Sequence, residues 1–160
     1  MAETYSNTKD HNRAFGKDEE ERVFLYFKNL LYELLGVKLK RSSLYENKVY
    51  KYDCLDNQKI PYKHDIKVSP NYRNISIPID NYLDPNNEST HYLCYTHIND
   101  RYYTIAKKDI KEFINAKIQE SQKMKRSFVI IPQSILESYN LIPKYFNMKK
   151  EKSLSLFKNL

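Results

Sequence analysis

The stretch from Val49 to Ile79, VYKYDCLDNQKIPYKHDIKVSPNYRNISIPI, decides how this chain folds. Apolar and charged residues alternate along it in short runs, which is typical of β-strands with one buried face. Three strands are therefore predicted, at Lys48–Leu55, Lys59–Val68 and Asn74–Ile79. Glu46-Asn47 and Asp56-Asn57-Gln58 are expected to form turns before the first and the second of them.

The flanking segments add helices and further strands to these three. The same reasoning predicts a strand at Lys38–Tyr45, a hairpin of His91–Ile98 and Arg101–Ala106, a helix at Lys107–Ile118, a short strand SFVII, and a helix from Pro132. Helices that alternate with mostly antiparallel strands indicate an α+β fold. We expect a three-layer-like arrangement in which a central mixed sheet is flanked by helices.

The length of 160 residues is typical of a single domain. Residues 1–16 are polar and lack periodicity, so we expect a flexible N-terminal arm. The single domain is predicted over residues 17–142, and residues 143–160 are either a basic tail or a helix docked on the body. The first helix is expected from Lys17 to Gly36, with an apolar stripe of Val23, Phe24, Phe27, Leu30, Leu31 and Leu34.

The net charge of +7 favours a polyanionic partner, and nucleic acid more than a membrane surface. No apolar run approaches the length of a membrane span, and the N-terminal residues lack the apolar core of a secretory signal. We therefore expect an intracellular protein, in the cytoplasm or, if it is viral, inside the host cell. Cys54 and Cys94 lack the spacing of a zinc site.

Strand parity brings charged residues of two predicted strands to one face. Side chains alternate across a strand, so a turn with an odd number of residues at Asp56–Gln58 aligns the aromatic faces of its two strands. Asp53, Lys63, Asp65 and Lys67 then share the opposite face. Two carboxylates a few ångströms apart can hold Mg²⁺ at a phosphodiester, and a neighbouring lysine can orient the attacking water. The alternative is a salt-bridged face in solvent.

Other polar residues are candidates for supporting roles. Glu20 precedes Val23 and Phe24 by one helical turn and so extends the buried stripe towards the helix start. Its alternative role is that of an ordinary acid at a helix N-terminus. Phosphate contacts or base stacking are expected from two loops, whose alternative is simple solvation; the residues are Tyr72, Arg73, Lys123, Lys125 and Arg126.

The order of these pieces resembles that of the restriction-endonuclease-like nucleases, the PD-(D/E)XK superfamily. The matching features are Glu20 in an opening helix, the strand KYD at Lys51–Asp53, a strand that carries a lysine, and the strand NISI at Asn74–Ile77. The strand pair YLCYT and RYYTIA, the helix KKDIKEFI and the run SFVIIP extend the resemblance to about Arg13–Leu136. It implies a nuclease core and cleavage of a phosphodiester with Mg²⁺.

The resemblance places the metal-binding acids and the lysine in two ways. Asp53 matches the first metal ligand in both. Read literally, Asp65-Ile66-Lys67 supplies the second metal ligand and the lysine, and the site is intact. Read by distance from the NISI strand, Lys63 is the lysine, and Pro61 and Pro78 replace carboxylates, so the site is degenerate.

Two hypotheses follow for the function. The first is a nucleic-acid-binding protein of nuclease fold, on DNA more than RNA, which is either a Mg²⁺-dependent nuclease or a decayed relative without a cofactor. The second is a non-enzymatic viral or plasmid accessory protein that binds a protein partner through a tyrosine-rich sheet. A homodimer or a protein partner is compatible with both hypotheses.

Overall fold

The computed structural model describes the backbone of residues 2–158 and the side chains of residues 17–154. Within that range the helices are α1 (Ala2–Leu35), α2 (Leu44–Tyr50), α3 (Ile79–Leu83), α4 (Lys111–Lys123), α5 (Gln133–Tyr139) and α6 (Ile142–Lys158). The strands are β1 (Leu39–Arg41), β2 (Cys54–Asp56), β3 (Lys63–Ser69), β4 (Ile75–Pro78), β5 (His91–Thr96), β6 (Arg101–Ala106) and β7 (Phe128–Ile131). Short 3-10 turns follow β5 and β6.

Five strands form a mixed central sheet in the order β1-β2-β3-β5-β6. Neighbouring strands are antiparallel except β3 and β5, which are parallel. Strands β4 and β7 pair with each other in a separate antiparallel sheet of two strands. The mixed sheet and its flanking helices confirm the predicted α+β class.

The central sheet carries an apolar core on each face. Because side chains alternate along β3 and β5, Ile66 and Leu93 point to one face while Cys94 points to the other. On the first face they pack against α1 and Tyr145 of α6. On the second face Cys94 packs with residues of β4, β7 and α4, among them Ile77, Ile114 and Val129. Strand β3 thus lies in the middle of three layers.

Helix α1 contributes the predicted apolar stripe to the first core. Five of its residues are buried and Leu30 packs partly buried beside them; the five are Val23, Phe24, Phe27, Leu31 and Leu34. Gly36 follows the helix at a φ of 69°, a left-handed conformation that suits glycine. No helix in the described part of the chain is long and apolar enough to cross a membrane.

The described backbone begins and ends in helices, α1 and α6. Helix α1 begins at Ala2, so the backbone of residues 2–16 continues the helix where we expected a loose arm. This segment contains no proline, and its glycine, Gly16, does not interrupt the helix. At the other end, α6 packs along α1, with Tyr145 in the core and Lys149 Nζ 3.7 Å from Glu33 Oε1. The side chains of residues 1–16 and 155–160 lie outside the described part.

Helix α2 replaces parts of two predicted strands. Ser43 Oγ accepts the Glu46 N–H at 3.1 Å, and Glu46 Oε1 accepts the Ser43 N–H at 2.9 Å. This capping box starts a helix that outweighs the strand-like alternation of the segment. The strands β1 and β2 are therefore shorter than predicted. Lys51, at a φ of 62°, ends the helix in the left-handed region and redirects the chain into β2.

The register between β2 and β3 keeps the predicted parity although the connection is longer than expected. Cys54 pairs with His64 and Leu55 with Lys63, so the loop spans residues 57–62. Asp56 organises this loop, since its Oδ1 accepts the N–H groups of Gln58 at 3.2 Å and Tyr62 at 3.1 Å. Odd-numbered residues of β2 therefore still pair with odd-numbered residues of β3, as the three-residue turn would have required. The charged residues share one face as predicted.

His64 and His91 are buried neighbours on the α1 side of the sheet, and their burial makes stability pH-dependent. Burial lowers the pKa of His64 to about 3, and burial with Lys108 lowers the pKa of His91 to about 4. The unfolded chain therefore takes up protons below about pH 6.5 that the folded chain does not. Stability is present in full above that pH and falls as the pH drops towards 4.

We expect His64→Leu to weaken this pH dependence. Each histidine contributes a slope of up to about 1.4 kcal/mol per pH unit to the unfolding free energy. Urea unfolding of wild type and variant between pH 4.5 and 7.5 gives the pH dependence of the unfolding free energy of each. The carboxylates titrate in both proteins, so their contribution cancels when the two slopes are subtracted. Equal slopes for the two proteins would contradict the assignment.

Candidate active site

Asp53 lies where the ladders of β1, β2 and β3 meet. Its N–H donates to His64 O at 2.8 Å, and its carbonyl oxygen accepts the Ser42 N–H at 3.0 Å. Asp53 directly precedes β2, and its carboxylate reaches β3 between Asp65 and Lys67, where Oδ2 accepts the Ile66 N–H at 2.7 Å. The two acids predicted to bind a metal are therefore neighbours, one beside β2 and the other on β3.

The carboxylate of Asp53 is held by two hydrogen bonds from different elements. Its Oδ2 accepts the Ile66 N–H at 2.7 Å, in the middle of β3. Its Oδ1 accepts Asn47 Nδ2 at 2.6 Å, from the capped helix α2. Each carboxylate oxygen retains a lone pair for a further ligand.

Asp65 and Lys67 occupy the same face of β3, two residues apart. Lys67 Nζ lies 3.3 Å from Asp65 Oδ2, and both side chains are mostly buried, at 19% and 14% exposed. Burial raises the pKa of Asp65 to about 7; Lys67 opposes the shift, and the charge and hydrogen bond of Asp53 add to it. Two facing carboxylates without a cation are stabilised by retaining a proton.

Glu20 extends this cluster from α1. Burial raises its pKa, the charge of Asp53 adds to the shift, and Lys67 and Arg41 oppose it. The charges of Asp53 and Lys67 thus both act on the half-buried Glu20 carboxyl. The structure brings together Asp53, Asp65 and Lys67, and Glu20 is within the electrostatic influence of this group.

Lys63 is engaged away from this cluster. Its Nζ forms an ion pair with Glu88 Oε1 and lies 5.3 Å from the centroid of the Tyr52 ring. Pro61 belongs to the loop before β3, and Pro78 ends β4 in the separate sheet. Of the two placements of the acid-x-lysine element, the geometry matches the literal one, Asp65 with Lys67.

A cleft opens beside the carboxylates. It has a volume of about 220 Å³ and is lined by Asn47, Lys48, Lys51, Asp65, Lys67 and Asn81. The lysines among them come from α2, its end and β3, and they place positive charge beside Asp65. Asp53 lines a neighbouring cleft of about 260 Å³, and Asn47 lines both clefts. Such a surface suits a substrate that carries phosphate groups.

Sequence reasoning missed two contributors to the site, Asn47 and Lys107. Asn47 was assigned to a turn, although the Ser43-x-x-Glu46 capping box signals the helix that positions it. Lys107 Nζ bonds Ser89 Oγ and lies 4.9 Å from the Tyr92 ring centroid. Burial lowers the pKa of Lys107 to about 8, the charge of Asp65 raises it and Lys67 lowers it. Lys107 follows Ile105 of β6 by two residues, so strand alternation would have placed its side chain on the same face of the sheet.

The residues proposed for nucleic-acid contacts lie outside the lining of this cleft. Tyr72, 66% exposed, and exposed Arg73 belong to the loop after β3. Lys123 ends α4, and Lys125 follows at a φ of 56°. Arg126 lines a different cavity of about 350 Å³ beside Phe128. These positions are exposed, and they are not part of the carboxylate cluster.

No group of three or more His, Cys, Asp or Glu side chains is arranged to hold a metal ion within the described range. The carboxylates of the cluster are thus the neighbouring pair Asp53 and Asp65, with Glu20 beside them. The two cysteines are not candidates for a nucleophile, because both are buried and burial raises the pKa of each thiol. Comparisons with family models, curated proteins and solved structures find no match to this chain.

Removal of the Asp65 charge is expected to stabilise the fold at alkaline pH. The pKa of this carboxyl is raised to about 7 from an ordinary value near 4, so the folded protein loses stability as the pH rises between these values. Asp65→Asn remains neutral, and its advantage over wild type should grow between pH 5 and 8 by on the order of 3 kcal/mol. Urea unfolding without added metal measures it.

Glu112→Gln provides the matched control, because Glu112 is an exposed carboxylate on α4. It should change the unfolding free energy by less than about 0.5 kcal/mol at either pH. If Asp65→Asn is less stable than wild type at pH 8, the ionised Asp65 carboxylate does not destabilise the folded protein.

Proposed function

We propose that this protein is a metal-dependent phosphodiesterase that acts on nucleic acid, with DNA the expected substrate. One observation carries the proposal: Asp53 Oδ2 accepts the Ile66 N–H at 2.7 Å, between Asp65 and Lys67, and Lys67 Nζ lies 3.3 Å from Asp65 Oδ2. Two acids and a lysine on one buried face have the composition required for hydrolysis at phosphorus. An ordinary solvated ion pair would not raise the pKa of an aspartate to about 7.

The donor set fits Mg²⁺. This ion is usually bound by one or two carboxylates together with waters and phosphate oxygens, so a protein cage of three acids is not required. Asp53 and Asp65 would hold it, and the raised pKa of Asp65 supports the presence of a cation, which would replace the shared proton. Bound Mg²⁺ would polarise the phosphodiester and lower the pKa of a water molecule.

The remaining groups of the cleft have roles that follow from their charge. Lys67 lies beside Asp65 and can hold the attacking water or neutralise the negative charge that develops on phosphate. Lys48 and Lys51 line the same cleft and can bind the adjacent phosphates of the chain. Glu20 can accept a hydrogen bond from a metal-bound water.

The order of the elements supports the same proposal. The chain presents a helix with Glu20, the strand of Asp53, and then the strand of Asp65 and Lys67, which is the order in which the resemblance to the restriction-endonuclease-like nucleases places them. We therefore propose membership of that superfamily with an intact site. The net charge of +7 is compatible with binding of a polyanion.

Three tyrosines of the sheet are buried, which gives the accessory-protein hypothesis less support than the enzymatic one. Tyr92, Tyr95 and Tyr103 of β5 and β6 are each 1% exposed and belong to the two cores. Buried rings stabilise the fold and cannot contact a partner. For this reason we favour the enzymatic proposal.

A nuclease assay on the whole chain tests the proposed site. We expect cleavage of DNA with Mg²⁺ or Mn²⁺, and loss of at least about 100-fold in rate for Asp53→Asn, Asp65→Asn and Lys67→Met. Lys63→Gln should retain most of the rate, because its ammonium group pairs with Glu88.

The comparison of the two lysine variants separates the alternative placements of the site. Equal losses of cleavage rate for Lys63→Gln and Lys67→Met would contradict the assignment of Lys67 over Lys63. A loss for Lys63→Gln alone would show that Lys63 is the lysine of the site. If wild type does not cut single-stranded or double-stranded DNA or RNA with either metal, the catalytic proposal is wrong.

Salt-dependent DNA binding tests the outlying basic residues separately. If Arg73 and Lys125 contact phosphates, Arg73→Gln and Lys125→Gln should each lower the slope of log K against log salt by about 1. Fluorescence anisotropy with a labelled duplex at several salt concentrations measures the slope, in EDTA to prevent cleavage. Lys150→Gln, an exposed change on α6, is the control and should leave the slope unchanged. Wild-type slopes for both loop variants would exclude these contacts.

A further inference from the structure

A second concave site lies on the other face of the central sheet. It is a cavity of about 590 Å³ between α6 and the segments that begin β3 and β5. Its lining includes Ile60, Tyr62, His91, Lys108, Lys144 and Tyr145. A volume of this size is typical of pockets for small molecules. Because His64 and Asp65 alternate along β3, the cavity and the carboxylate cluster are on opposite faces.

Planar rings form one wall of the cavity. The Tyr62 ring stacks on the His91 ring with centroids 4.1 Å apart and 25° between the planes. His91 in turn lies 5.4 Å from His64, which is 2% exposed and has no hydrogen-bond partner at either ring nitrogen within the described part of the chain. The three rings form a cluster that extends from the core to the cavity, and Tyr145 adds a further ring to the lining. Flat aromatic surfaces favour a ligand that contains a planar ring.

The cluster of Tyr62, His91 and His64 also offers a polar group, an imidazole nitrogen of His91, that can recognise such a ring. His91 Nδ1 is hydrogen-bonded to Thr90 Oγ1 at 2.8 Å, which leaves Nε2 as the ring atom able to meet a ligand. The imidazole stays neutral, since burial lowers its pKa to about 4. One nitrogen of fixed orientation can therefore accept or donate a hydrogen bond at the edge of a nucleobase.

The rim of the cavity carries positive charge near the rings. Lys108 and Lys144 are exposed, and neither forms an ion pair with another described side chain. Lys144 lies in the first turn of α6, a helix of 17 residues whose dipole also favours an anion at that end. Asp109 is the one carboxylate among the described lining residues, and three lysines, Lys107, Lys108 and Lys144, outnumber it. A phosphate group is the anion that would commonly accompany a nucleobase.

We propose that this cavity binds a nucleoside monophosphate. The base packs against Tyr62 and Tyr145 within reach of His91, and the phosphate contacts Lys108 and Lys144. The apolar Ile60 side chain, 81% exposed in the free protein, would be covered by the ligand. This inference does not rest on the proposed nuclease activity, because none of Asp53, Asp65, Lys67 and Glu20 lines the cavity, although Lys107 borders both sites.

Isothermal titration calorimetry with AMP, adenosine and inorganic phosphate tests the proposal on the whole chain. We expect saturable binding of AMP, weaker binding of adenosine, and binding of phosphate alone at least about tenfold weaker than that of AMP. The double variant Lys108→Gln, Lys144→Gln should weaken AMP about tenfold and leave adenosine unchanged. Tyr62→Leu should weaken both AMP and adenosine.

Two control variants keep the result specific. Lys150→Gln removes an exposed charge from the same helix and should not change AMP binding. Asp53→Asn alters the other face of the sheet and should also leave AMP binding unchanged. The proposal is overturned if AMP does not saturate by about 1 mM. It is also overturned if phosphate binds as tightly as AMP, if the lysine variants bind AMP normally, or if Asp53→Asn abolishes binding.

Discussion

The alternation of side chains along β3 is the constraint on which the structure depends. One set of residues, His64 and Ile66, faces α1 and α6, while Asp65 and Lys67 face the opposite way. Because the strand lies in the middle of three layers, a slip by one residue would place both charges in the α1 core and move His64 and Ile66 to the face of the carboxylates. The register is therefore strongly specified, and the position of the charged pair follows from it. The Asp53 carboxylate adds to this by binding the Ile66 N–H across the strand edge.

Burial of the charged groups has an energetic cost that the fold offsets only in part. Asp65 is mostly buried opposite another carboxylate, and Lys67 is the cation nearest to it. A buried ion pair seldom gains as much from attraction as it loses by desolvation. A protein that needed only stability would be better served by apolar residues at these positions. Groups retained at such cost are commonly those that a ligand or a reaction requires.

Side-chain parity and helical periodicity were sufficient to predict the charged face, because both depend only on local geometry. Odd-numbered residues of β2 pair with odd-numbered residues of β3 although the loop before β3 is longer than the turn expected there. Glu20, which extends the apolar stripe of α1, is under the electrostatic influence of Asp53 and Lys67. Tertiary partners were less predictable. Strand β4 showed regular alternation but pairs with β7 outside the central sheet. Asn47 was missed because the capping box at Ser43 and Glu46 competes with a strand-like pattern, and the helix formed.

Helix α2 adds no buried side chain to either core, yet it holds Asn47 against Asp53 and carries Lys48 into the cleft. Its attachment depends on a cap at one end and a left-handed residue at the other. A segment with so few apolar contacts opens locally at a lower free energy than the layers beneath it. The wall of the cleft formed by α2 is therefore expected to open at a lower free energy than the sheet beneath it. Substitutions of exposed residues in this helix would change the wall of the cleft with less effect on stability than substitutions in either core.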